Sequence, residues 1–423
     1  MCAADRRGTR KRSGPGTAAA ARERANGPPV GGPACPGSRS RRRPAVQGIS
    51  IRSAALSALP GALWRATFAR PDGRCEPSGG SESYGQGDPD GPFPADVLGA
   101  LPQGFAGRIV ARSGERAGGV AWHAAPDGGG CFPDGDGWIY VSNCALPLLG
   151  GVTALRFAPD GALRSGYRIL SGADRCGAGV ATPWHTWVSG ERTPYGRVFE
   201  CDPYGLRAPM PRLAMGLFAH GGVACDPDRG VVYLTEGEAD GCLYRFRPDD
   251  WGDLTTGVLE VMAGDPGEES VAWERVPIPA LRDHVPLREQ VKGARKFAGG
   301  GDCRYSGGLV CFVTEGDGRV WAYDAARERL TVLHRTAGGA DGDAAGDACG
   351  GPGGGADGEI TLVGGDRTVP FLRVTGGWTV AGSSMSPAGD RLYFSCRPPR
   401  DARPVPAAVT VEVSGPFRDL VRA

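Results

Sequence analysis

The chain has 423 residues, a formal charge of +1 and 40 % hydrophobic residues, enough for one large core or two ordinary ones. Glycine (71) and proline (36) are abundant and amphipathic helical runs are scarce, which favours an all-β, turn-rich architecture. The near-zero charge excludes a dominant basic face, so nucleic acid is not an expected partner. No apolar run is long enough to span a bilayer as a helix. The 13 cysteines include no CxxC spacing, which argues against a zinc ribbon or a regular disulfide framework.

Residues 1–43 are rich in Arg, Gly, Ala and Pro, a composition that does not build a core. Arg41-Arg42-Arg43 precedes a weakly apolar stretch, Ala45–Trp64, and small residues near Ala66–Ala69. That is the order of a twin-arginine export signal, although Arg52 and Pro60 interrupt it; the other reading is a basic tail. Residues 71–98 form a Gly, Pro, Ser and Asp linker, and residues 99–420 form the folded domain.

Within that domain one unit recurs: a Gly or Asp turn, a short strand of the Val-Tyr-Leu-Thr type, a Gly-containing turn, and a second strand with alternating aromatics. Copies lie at Gly137–Asn143 with Gly151–Phe157, at Trp184–Glu191 with Gly196–Cys201, and at Gly230–Glu236 with Gly241–Phe246. Others lie at Gly308–Glu315 with Gly318–Asp324, and at Asp390–Cys396 with Ala408–Val413. A period of roughly 46–48 residues in the first copies, built of hairpins, is the mark of a β-propeller. The later copies begin about 80 residues apart, leaving room for a weak blade with strands at Ile360–Val363 and Val369–Val374. The expectation is therefore an all-β propeller of six blades, five or seven being the alternatives. A sandwich would not normally repeat one hairpin signature at this spacing.

One stretch carries the chemistry. Cys176 sits in a Gly-rich turn, a Thr-Pro-Trp-His-Thr-Trp run leads to Glu191, and a return strand ends at Cys201. A thiol and a carboxylate at the same end of neighbouring strands can form a mixed soft–hard metal site. The alternative is a buried cysteine beside a surface carboxylate. Trp184 and Trp187 are expected on one face of a strand, packing the core. Glu315 and Asp317 are expected to serve their hairpin turn.

The strings LPQGF (101–105), WHAAPDGG (122–129), GWIYVSN (137–143), TPWHTW (182–187), GRVFECDP (196–203) and AHGGVACDPDRGVVYLTEGEADGCLYRF (219–246) resemble the PhoX-type alkaline phosphatases and their actinobacterial relatives. SPAGDRLYFS (386–395) extends the resemblance towards the C-terminus. It implies a six-bladed propeller whose axial funnel holds iron and calcium through a Cys thiolate and carboxylates and hydrolyses phosphomonoesters. It also implies export by the twin-arginine route, a small phosphorylated substrate and a monomeric state.

Carried over residue by residue, the resemblance places Cys176, Glu191 and Glu236 at metal-ligand positions, with Asp302 as a neighbouring substitute. His220 and Arg192 become candidate phosphate donors. Several of the family's carboxylates are missing. Its Cys-Glu-Glu reads Gly190-Glu191-Arg192, its His-Glu reads His220-Gly221, its Gly-Gly-Glu-Gly reads Gly299-Gly300-Gly301-Asp302, and its Asn-Ser-Glu reads Asn143-Cys144-Ala145. Asp341, Asp343 and Asp347, in the low-complexity run 338–358, are further acidic candidates. A multinuclear cation cluster needs several anionic ligands, so the expectation is a weakened or altered metal site, or a propeller that binds a ligand without catalysis.

Overall fold

In the computed structural model, the described residues are 101–280, 285–335, 359–364, 367–399, 402, 405–417 and 419. The export-signal and linker readings, and Asp341, Asp343 and Asp347, lie outside them. Strands dominate; the helical residues described are the 3₁₀ turns Leu213–Met215 and Leu287–Glu289 and, near the C-terminal end, Phe417 and Asp419. None of these residues lies in a helix long and apolar enough to cross a membrane.

The fold is a β-propeller. Blade 1 comprises Pro126–Asp134, Gly137–Cys144, Gly150–Phe157 and Leu163–Ala173, paired in that order. Blade 2 comprises Cys176–Ala181, Trp187–Glu191, Val198–Cys201 and the short Met210–Pro211. Blade 3 has five strands: His220–Asp226, Val231–Glu236, Leu243–Asp250, Asp253–Ala263 and Ala272–Arg275. Blade 4 comprises Gly300–Ser306, Leu309–Thr314, Arg319–Asp324 and Arg329–Arg335. A two-stranded hairpin follows, Glu359–Gly364 with Arg367–Arg373, in the chain position expected of a weak blade. The closing blade contains Thr379–Met385, Arg391–Arg397 and Val409–Ser414, and takes Ala106–Arg112 as its outer strand. The described residues thus form five full blades, the two-stranded hairpin, and a short pair of Arg116–Ala117 with Val120–Ala121.

That outer strand joins the two ends of the domain. Ala106 pairs with Ser414 and Arg112 with Val409, antiparallel. Glu412, nearly fully buried, receives hydrogen bonds from Arg108, Arg391 and the Tyr393 hydroxyl. Two guanidinium groups, one from each end of the domain, share one carboxylate there, and such charge-assisted bonds are the stronger kind.

Apolar faces of adjacent blades form the core. One cluster combines Val188 and Val198 of blade 2 with Val232, Leu234, Tyr244 and Phe246 of blade 3. Another sets Tyr233 of blade 3 against Phe312 and Trp321 of blade 4. Alternating inward residues such as Val232 and Leu234 follow from the two-residue period of a strand.

Trp184 differs from its expectation. The strand begins only at Trp187, because Thr182 to Thr186 form a tight turn closed by the Thr186 carbonyl on the Thr182 amide. His185 in that turn has φ of 63°, in the left-handed region where a strand cannot continue. Trp184 therefore packs edge-on against Trp251, while Trp187 is buried between blades 1 and 2.

The first strands of neighbouring blades touch backbone to backbone. A Cβ on Gly221 would lie 1.8 Å from the Gly300 carbonyl oxygen, and one on Gly128 would lie 2.6 Å from that of Gly177. Because main chain cannot withdraw as a flexible side chain can, Gly221→Ala is expected to destabilise the domain by about 3 kcal/mol or more. Gly267→Ala, where nothing lies within 4 Å of the added carbon, is expected to stay within about 0.5 kcal/mol of the parent. Chemical denaturation of the two variants checks the pair.

Candidate functional site

In each blade the start of the first strand pairs with the end of the second, and these positions form a ring at one face of the propeller. The pairs are Pro126 with Cys144, Cys176 with Glu191, His220 with Glu236, Gly300 with Thr314, and Thr379 with Arg397. The fold thus makes Cys176–Glu191 and His220–Glu236 equivalent positions of adjacent blades.

Asn143, one residue before Cys144, ties blades 1 and 2 together. Its amide nitrogen donates to the Gly177 and Ala178 carbonyls at 3.2 and 2.7 Å. Its oxygen accepts from Trp187 Nε1 at 2.8 Å and Ser189 Oγ at 3.1 Å. All the hydrogen-bonding capacity of the amide oxygen and both of its N–H groups is used. This fixes the strand that carries Cys176.

Cys176 has no solvent exposure. Burial pushes its thiol up to about 12, with Ser189 hydrogen bonding acting the other way, so at neutral pH it is a protonated, weakly nucleophilic thiol. Its partner Glu191 is also buried but is held below the ordinary carboxylate range. Burial acts upward there, and is outweighed by hydrogen bonds from Arg197 and from the Arg197 and Asp174 amides. Arg197 reaches both carboxylate oxygens at 3.0 Å, and the amides of Asp174 and Arg197 approach at 2.9 and 2.8 Å.

His220 is fully buried, with its ring 4.0 Å from that of Phe218. Neither ring nitrogen has a hydrogen-bond partner. Burial lowers its pKa to about 4, against weaker upward influences from nearby backbone and Glu191, so the imidazole is neutral at pH 7. Glu236 opposite it accepts from Arg288 Nη1 and the Tyr244 hydroxyl at 2.9 Å each and from the Cys242 amide at 3.2 Å. Its pKa is raised, burial outweighing the Arg288 charge.

Arg192 and Glu315 form a pair that neither sequence expectation contained. Arg192 Nη2 donates to Glu315 Oε2 at 2.7 Å, linking the second-strand ends of blades 2 and 4. Asp317 does serve its turn, accepting from Thr314 Oγ1, whereas Glu315 reaches elsewhere. A Cβ on Gly301 would lie 2.9 Å from Glu315 Oε1. The Glu315 carboxylate therefore fills the space next to Gly301, where the resemblance misses an acidic side chain. Its signal lay in the sequence only as a Thr-Glu strand end parallel to Thr235-Glu236. Asp302 is half-exposed beside Arg304, at 3.4 Å.

The implied iron and calcium would need several anionic donors around one point. Cys176 and Glu191 meet, and so do His220 and Glu236, but each candidate carboxylate already has a guanidinium partner: Glu191–Arg197, Glu236–Arg288, Glu315–Arg192 and Asp302–Arg304. Among the described residues no group of three or more His, Cys, Asp and Glu side chains is arranged to hold a metal ion. The donors do not fit a multinuclear cluster.

Fold and ring together define a β-propeller with chemically distinct blade ends. Residues 190–292, spanning the end of blade 2 and blade 3, match the family model of alkaline phosphatase PhoX. Over that stretch the chain is similar to alkaline phosphatase PhoX. The solved structure of Pseudomonas fluorescens PhoX in complex with vanadate, a transition state analogue, is similar in fold. It has 15 % identity and a TM-score of 0.55, over 76 % of this chain and 96 % of that one. A gluconolactonase from Xanthomonas campestris has 11 % identity and a TM-score of 0.34, over 76 % of this chain and 92 % of that one. No curated protein matches the chain.

Replacing Asn143 by Ala strips four hydrogen bonds from buried partners. The expected loss is about 3–4 kcal/mol of stability in urea denaturation. The loss should be accompanied by faster alkylation of Cys176, followed by mass spectrometry, because its strand is no longer anchored.

Proposed function

We propose that this chain is a PhoX-type phosphomonoesterase scaffold that receives a small phosphorylated ligand at the ring face and hydrolyses it weakly or in an altered way. The observation that carries the reading is the retained ring: Cys176 against Glu191 in one blade, and His220 against Glu236 in the next. Phosphoryl transfer asks the protein chiefly for positioned positive charge and an activated oxygen nucleophile. In the resemblance iron and calcium would supply both; the donors here do not fit such a cluster, and Cys176, Glu191, Glu236 and Asp302 are the residues proposed to remain from that site. Arg192 can offer its guanidinium to a phosphate in place of the Glu315 carboxylate, since either anion presents two oxygens to its paired N–H groups. His220, neutral and without a hydrogen-bond partner, is the second candidate donor.

A second reading, a propeller that binds such a ligand without turning it over, is favoured by the guanidinium held on each candidate carboxylate. Both readings include export by the twin-arginine route and a monomeric state, in keeping with the family resemblance.

Hydrolysis of an aryl phosphate with added Ca²⁺ and Fe³⁺, run beside elemental analysis of the purified protein, separates them. The weakened-enzyme reading expects a measurable rate that falls at least about tenfold in Cys176→Ala, that is, by about 1.4 kcal/mol of transition-state stabilisation. Equal rates in parent and variant would remove the thiol from the chemistry. Stoichiometric iron with calcium would overturn the weakening itself.

A further inference from the structure

Arg288 arrives from outside the blades. It lies on the 3₁₀ turn Leu287–Glu289, in the connection between blade 3 and blade 4, and its guanidinium points back to the end of blade 3. There Nη1 meets Glu236 at 2.9 Å and Nε lies 2.8 Å from Asp240. Glu238 lines the same cleft, a space of about 210 Å³ that Tyr195, Phe218 and Leu287 bound on the apolar side. One guanidinium is thus surrounded by two bonded carboxylates and a third nearby.

We propose that Arg288 is a resident cation: it neutralises the acidic cup of blade 3 as a bound divalent ion would, and so frees the fold from any need for metal there. The inference rests on the weakened-site reading above and explains how a scaffold with buried acidic residues stays stable without the cluster. A carboxylate as buried as Glu236 is destabilising unless it is paired. Arg197 does the same for Glu191 and Arg192 for Glu315, so balance is reached blade by blade. Arg288 alone is shared between two carboxylates, which makes its removal the informative change. Loss of the guanidinium leaves the buried Glu236 carboxylate, and Asp240 with it, without its cation.

Thermal melts of the full chain, in EDTA and in CaCl₂, test this. The parent is expected to melt at the same temperature in both. Arg288→Ala should fall by roughly 5–10 °C, and Glu236→Gln combined with Arg288→Ala should regain at least half of that loss. If Arg288→Ala is insoluble, recovery of soluble protein in the double variant supports the proposal, and insolubility of both overturns it. A parent that loses stability in EDTA, or a double variant no more stable than Arg288→Ala, also overturns it. Failure here is distinct from failure of the functional reading, which stands or falls on the metal content and phosphatase rate of the parent.

Discussion

The close approach of neighbouring first strands governs what the centre of this propeller can hold. At Gly221 against Gly300 the main chains leave no room for even one added carbon. An acidic side chain at position 221, which the family resemblance leads one to expect, has no space in this packing. Any side chain at position 221 would require the strands of blades 3 and 4 to move apart. Thr235 reinforces the same contact, its hydroxyl donating to the Gly301 carbonyl at 2.6 Å.

Charge follows the same pattern. The ring carboxylates are matched by arginines that are near in sequence, as Arg197 is to Glu191, or delivered by a distant connection, as Arg288 is to Glu236. The two carboxylates respond in opposite directions although they are equivalent in position. Glu191 is held ionised by a two-pronged guanidinium and two backbone amides. Glu236 is more deeply enclosed, and burial prevails. A charge buried to that degree tolerates little variation in its partner.

The second and third strands of the blades were legible in the sequence. Gly137–Cys144, Val231–Glu236 and Arg391–Arg397 are β-branched and aromatic runs bounded by Gly or Asp turns, and such runs suit a pleated, half-buried surface. The first strands were not legible. Pro126–Asp134 reads PDGGGCFPD, with the residues most depleted in strands, because the backbone contact at the centre selects glycine over propensity. Closure by Ala106–Arg112 was equally hidden, since nothing local links it to Val409–Ser414 across the whole domain. Around the candidate site, the nearness of Cys176 and Glu191 follows from a single hairpin. The pairing of Arg192 with Glu315 does not, because it spans blades 2 and 4 and, in a chain with so many arginines, no particular one stands out.

These two kinds of illegibility share a cause. Glycines at the centre and arginines at the ring both answer to neighbours that are remote in sequence, and both depart from what their local stretch favours. Read singly, Gly190, Gly221 and Gly301 are lost ligands, and Arg192 is a candidate phosphate donor. Read together, Gly190 makes room for the Cβ of His220, which lies 2.6 Å from where its own would be, and Gly301 makes room for Glu315. Glu315 in turn engages Arg192. The acid beside Gly301 thus arrives from another strand, and its charge is balanced by an arginine of a third. Close packing and charge pairing on the ring are therefore one arrangement, in which buried Glu191 and Glu236 each keep a guanidinium partner.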